Sequence, residues 1–186
     1  FLGYWQNIDY LNKTKHGIIQ YLSNNALLKE SLNSINDQKT AMIHVRRGDF
    51  LKDRRELKAE YYIKSINIMK QNDIEIFDVF TDDEDWVKDQ SFFKDVRYIY
   101  TQKSGKDDEY RSRGINSLDD REETLKTFAQ MLSYNHFVVG NSSFAFWAAY
   151  LKSKEQSLVT IANPLFRNEK RNHNNDKRGK LYLDNW

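Results

Sequence analysis

A run of ionic side chains, His44-Val45-Arg46-Arg47-Gly48-Asp49, leaves a short apolar segment. Two adjacent guanidiniums beside a glycine can hold a diphosphate, because each arginine offers a rigid fork of donors and glycine admits a close backbone approach. The structural alternative is a pair of solvated arginines in a turn. A second cluster, Thr81-Asp82-Asp83-Glu84-Asp85, places four acids in a row. Such carboxylates can accept hydrogen bonds from a guanine edge, ligate a divalent metal that bridges phosphates, or cap a helix, and capping is the commonest role for any one of them. The third cluster is Gly140-Asn141-Ser142-Ser143, ahead of the apolar segment Phe144 to Leu151. Free amides and small hydroxyl side chains at a helix start make a seat for phosphate, or an ordinary N-cap with no ligand.

Each cluster follows an apolar stretch that can position it. Ala41 to Val45 reads as a short buried strand running into the arginines, Glu75 to Thr81 as a second running into the acids, and His136 to Val139 as one ending at Gly140. Arg97 to Tyr100 and Leu158 to Ile161 supply two more strands. Between them, Ile18, Ile19, Leu22, Leu27, Leu28, Leu32 and Ile35 predict one amphipathic helix over Gly17 to Asn36, and Tyr62, Ile63, Ile66 and Met69 predict another over Ala59 to Gln71. Leu125, Phe128, Ala129 and Leu132 form the stripe of a helix expected to be capped by Asp119 or Asp120, with Glu122 and Glu123 at the positive end of its dipole. A last helix is expected from Phe144 to Lys152, and a polar mobile loop from Lys103 to Leu118. Strands alternating with helices predict a doubly wound α/β fold with a mostly parallel sheet, in which ligands bind outside the carboxyl ends of the strands.

Length and composition bound the rest. A chain of 186 residues suits one domain, taken as residues 1–166, followed by a basic polar tail over 167–186. The 39% apolar and 14% aromatic shares are those of a folded core. Because 29 basic residues nearly balance 27 acidic ones, no global field exists to hold nucleic acid, and any anion site must be local. The segment from Arg167 to Lys180 is the exception, with six basic residues against Glu169 and Asp176. It is a candidate for peripheral contact with an anionic membrane face, against the plainer expectation of a solvated tail. Absence of cysteine excludes disulfides, a thiolate zinc site and a cysteine nucleophile, and fits a cytoplasmic compartment. No apolar run approaches the roughly 20 residues of a membrane span, and Phe1 to Trp5 lacks the layout of a signal peptide. A start at Phe1 rather than Met leads to the expectation that the chain is part of a longer protein.

Taken in order, the three clusters resemble a known family. The run His44 to Phe50, the segment Phe80-Thr81-Asp82-Asp83 with Trp86 after it, and Asn141-Ser142-Ser143-Phe144-Ala145-Phe146-Trp147 are similar to the three motif regions of family-11 α-1,2-fucosyltransferases. Gly3-Tyr4-Trp5-Gln6 and Glu60-Tyr61-Tyr62 agree with it, and the likeness runs from about Gly3 to Pro164. The resemblance implies a two-lobed GT-B enzyme whose Rossmann-like C-terminal lobe binds GDP-fucose, inverts the anomeric centre and requires no metal. It implies a galactose-containing oligosaccharide as acceptor, used in cell-surface glycan synthesis.

By the same likeness His44 and Asp82 or Asp83 would face the guanine, Arg46 and Arg47 the phosphates, and Asn141, Ser142 and Ser143 the diphosphate from the helix start. Arg46, Arg47 and Asp49 are the catalytic candidates, with Asp49 the one carboxylate nominated as base. The glycine- and asparagine-rich motif that opens such enzymes has no counterpart here, so this chain is expected to bind donor without transferring it. The charged stretch Lys52 to Glu56 is a candidate for acceptor selectivity. Three alternatives stand beside this: a GT-B transferase using another GDP-sugar, a metal-dependent GT-A transferase using Asp83-Glu84-Asp85, and a nucleotide-sugar-binding module without catalysis.

Overall fold

Five short strands collect the buried apolar runs: β1 (Thr40–Val45), β2 (Ile76–Thr81), β3 (Tyr98–Thr101), β4 (His136–Val139) and β5 (Val159–Ile161). They form one sheet in the order β3-β2-β1-β4-β5, and every neighbouring pair is parallel. The computed structural model describes residues 8–34, 37–52, 54–101 and 118–162. The basic tail, most of the polar stretch after Lys103 and the motif around Trp5 lie outside those residues.

β1 is buried at all six positions because it is central and covered on both faces. Helices α3 (Gly48–Lys52), α4 (Ala59–Lys70) and α5 (Glu84–Asp89), with a 3-10 turn at Ser91–Phe93, follow the first two strands. Tyr62, Ile66, Met69, Val87 and Phe93 pack there on Ala41, Ile43, Val45 and Val79. The opposite face is covered by α1 (Ile8–Leu22), α2 (Ala26–Asn33), α6 (Leu118–Met131) and α7 (Ser143–Lys152). Its core joins Met42, Phe80, Phe137 and Val139 to Leu11, Leu28, Leu132, Phe146 and Tyr150. The chain therefore runs outward from β1 to β3 with helices on one face, then returns to the far side of β1 with helices on the other. That reversal sets the topological switch point between β1 and β4.

Three expectations needed correction. The single helix over Gly17 to Asn36 is two, broken at Ser23-Asn24-Asn25. There the Ser23 hydroxyl donates to the Ile19 carbonyl at 2.8 Å, and the Asn25 side chain accepts from the Leu28 amide at 3.2 Å as a new N-cap. The helix expected to be capped by Asp119 or Asp120 already begins at Leu118, which places both acids inside its first turn and removes Leu118 from the expected loop. The short helix α3 was not anticipated. The C-terminus of α2 is closed by a distant residue, since Lys152 Nζ donates to the carbonyls of Ser31, Leu32 and Ser34 at 3.0, 3.0 and 2.6 Å. Among the described residues no helix is long and apolar enough to cross a membrane.

Candidate functional site

The three clusters separated in sequence meet at the carboxyl edge of the sheet. β1 ends at Val45, β2 at Thr81 and β4 at Val139, and these strands are adjacent. Val45 pairs with Thr81 as the last rung of the β1–β2 ladder, so Arg46-Arg47 and Asp82-Asp83 leave the sheet side by side.

The arginines are held by carboxylates. Arg46 places Nη2 at 2.7 Å from Asp49 Oδ1 and Nη1 at 2.9 Å from Asp82 Oδ2. The backbone N–H of Arg47 donates to Asp82 Oδ1 at 2.8 Å, and its Nε donates to Asp83 Oδ2 at 3.0 Å. The Arg47 guanidinium lies 4.1 Å from the centre of the Trp86 ring, a cation–π contact that fixes its plane. Asp83 is also the N-cap of α5, accepting from the Trp86 amide at 3.2 Å. The capping role foreseen for this acidic run therefore falls to Asp83, and the Asp83-Glu84-Asp85 string lies across a helix start. Among the described residues no three His, Cys, Asp or Glu side chains cluster as a metal site would need.

On the other side of β1, Gly140 is where two strand ends touch. A Cβ there would lie 2.5 Å from the His44 carbonyl oxygen and 2.9 Å from His44 Nδ1, so glycine is required by close approach. His44 is 1% exposed and forms the floor of the edge. Burial, with the Arg46 charge as a second cause, pushes its imidazole down to about 3, so it is neutral at ordinary pH.

Asn141 is buried and its Nδ2 donates to the Arg55 carbonyl, which ties the loop after the arginines to the end of β4. Ser142 is the N-cap of α7 without a side-chain cap bond, and Ser143 begins the helix. The first-turn amides of α7 have no intrahelical acceptors and lie at the edge shared with the arginines.

Two contributors were assigned no individual role in advance. Arg55 stacks on the Phe50 ring at 4.3 Å, and Arg46 flanks the same ring at 5.7 Å, so a third guanidinium joins the cluster. The charged stretch Lys52 to Glu56 was the only sign of it in sequence, and nothing there says which residue turns inward. Tyr61 donates from α4 to the carbonyls of Val139 at 2.7 Å and Thr160 at 3.2 Å, pinning β4 and β5 just before the serine motif. Tyr62 packs against Trp86 and Phe93.

The fold and this edge define a doubly wound α/β protein with two arginines and a helix start gathered at its switch point. The model of glycosyl transferase family 11 matches residues 1–186, and the chain belongs to that family. It is similar to an α-1,2-colitosyltransferase of Escherichia coli, at 27% identity over 183 residues that cover 92% of this chain and 58% of the relative. The chain thus spans somewhat over half the length of that curated relative. No solved structure matches it significantly.

Proposed function

We propose that this chain is the donor-binding portion of a glycosyltransferase that uses a GDP-sugar, and that the donor is GDP-fucose, transferred to the 2-hydroxyl of a galactose-containing acceptor. The observation that carries it is the convergence of Arg46-Arg47, the Asp82-Asp83 turn and the α7 start at one strand edge, in a chain of family 11. In the proposed reaction the acceptor oxygen bonds to the anomeric carbon as the bond to the diphosphate breaks. Negative charge then grows on the leaving group, and guanidiniums with helix amides stabilise it without a metal.

Arg46 and Arg47 would take the diphosphate, with Asn141, Ser142 and Ser143 shaping its seat. Asp83, a quarter exposed, is the accessible carboxylate for the guanine edge, and His44 supports that edge from beneath. Asp49 is the nominated acceptor of the hydroxyl proton. A second sugar, the colitosyl group of the Escherichia coli relative's name, is favoured by that similarity.

Calorimetric titration with GDP, ADP and UDP in the presence of chelator tests the nucleotide assignment. GDP should bind, and ADP and UDP at least about tenfold more weakly, because the acidic turn matches the N1 and N2 donors of guanine alone. Equal affinity for all three, or binding restored only by manganese, overturns it. Competition of GDP-fucose against a GDP-linked colitosyl donor then ranks the sugars.

A further inference from the structure

Arg46 and Arg47 face three aspartates that are not equivalent. The side chains of Asp49 and Asp83 are 22% and 25% exposed, whereas that of Asp82 is 0% exposed. Asp82 also joins both arginines, through Oδ1 to the Arg47 backbone N–H at 2.8 Å and through Oδ2 to Arg46 Nη1 at 2.9 Å. It follows directly on Thr81, the last β2 residue paired with β1, so its own backbone is anchored by the sheet. We infer that Asp82 is a positioning residue: it fixes the turn that carries Arg46 and Arg47 out of β1 and holds the Arg46 guanidinium in one orientation for a diphosphate, and it does not itself contact the nucleotide. The inference rests on the donor assignment above and departs from the guanine-facing role implied for Asp82 by family likeness.

Charge gives the test its sign. Asp82 places a negative charge beside the arginines, so an Asp82 acting merely as a charge would repel phosphate, and neutralising it would strengthen binding. An Asp82 that orients the arginines has the opposite effect, since a pre-set guanidinium loses less freedom on binding. A guanine contact would show a third pattern, because inorganic pyrophosphate has no base to lose.

Asp82→Asn keeps the shape and one acceptor for the Arg47 amide while removing the charge that holds Arg46. GDP and inorganic pyrophosphate are titrated into the parent chain, Asp82→Asn, Arg46→Lys and the double variant, with folding checked by circular dichroism. Asp82→Asn should weaken both ligands by the same factor, about tenfold, the scale of one charge-assisted contact. The double variant should be no more than about twofold weaker than Arg46→Lys, because the two changes disable one arrangement. Unchanged or tighter binding, a loss confined to GDP, or additive losses in the double variant each overturn the role.

Should Asp82→Asn fail to fold, Arg46→Lys carries the test. Its single ammonium cannot hold Asp49 and Asp82 together as the fork does, and parental affinity for pyrophosphate would overturn the inference. A folded parent that binds no GDP overturns the donor assignment itself, and this role with it.

Discussion

Asp78 and Asp82 lie four residues apart on one strand and its continuation, and both meet arginine, yet their surroundings differ. Asp78 is wholly buried toward the amino side of the sheet. Arg97 grips it through Nε at 3.1 Å and Nη2 at 2.6 Å, and the Tyr134 hydroxyl donates to it at 2.6 Å. Arg97 precedes β3 and Tyr134 precedes β4, so this cluster ties strand starts together. One carboxylate is saturated by a two-pronged partner and a phenol, and nothing remains to be exchanged.

At the carboxyl edge two arginines divide themselves among three acids by single-pronged contacts, with the guanidiniums partly exposed. Exchange of carboxylate for phosphate is possible there at small cost for Asp49 and Asp83, because partly exposed pairs hold each other weakly, whereas Asp82 is wholly buried. The same two residue types thus make a rivet at one end of the sheet and a shared, partly exposed arrangement at the other.

The sharpest way to break this contrast is Gly140→Ala. The added Cβ would meet a backbone carbonyl at 2.5 Å, so β1 and β4 must part where the edge is assembled. A loss of about 3 kcal/mol, the upper range of overpacking, is expected in urea unfolding, together with weakened GDP binding. Parental stability would mean that the edge is soft and the close approach unimportant.

Next is Arg97→Leu, which strands the buried Asp78 charge. Because the Arg97 side chain is 43% exposed, the effect of breaking a buried pair is discounted to about 2 kcal/mol. GDP affinity of the folded variant should match the parent. A binding loss without a stability loss would erase the distinction between the two clusters.

The smallest expected effect is on pH dependence. The folded-state pKa of His44 lies below its unfolded value of 6.5, at about 3, so the unfolded chain takes up a proton that the folded chain refuses. The associated stability is fully present above pH 6.5 and is lost as pH falls toward 3, by roughly 1–2 kcal/mol between 6.5 and 5. Urea titrations at pH 7.5 and 5 on the parent and His44→Gln should show a flatter response in the variant. Identical responses would show that the floor of the edge is wetter than its burial indicates.

Element types along most of the chain were legible because hydrophobic period and strand length agree locally. Ala59 to Gln71 reads as a helix and forms one over Ala59–Lys70, and His136 to Val139 reads as a strand and is one. The break at Asn25 was hidden because the apolar positions continue through it, and a side-chain cap outweighs periodicity there. Strand alternation with helices was enough for the doubly wound class, and each of the three clusters could be placed at a strand end from its own neighbours.

Sequence alone thus determined which residue types gather at strand ends, since apolar runs and the polar residues that stop them are local properties. It could not order the strands. That β4 returns beside β1, bringing Gly140 against His44 and Asn141 to the Arg55 carbonyl, was decided by tertiary packing on both faces of the sheet. Nor could it rank the aspartates, which are alike in composition and spacing. Burial against the sheet separates Asp82 from Asp49 and Asp83, because whether a carboxylate may move is set by what surrounds it in space, and those surroundings come from residues dozens of positions away.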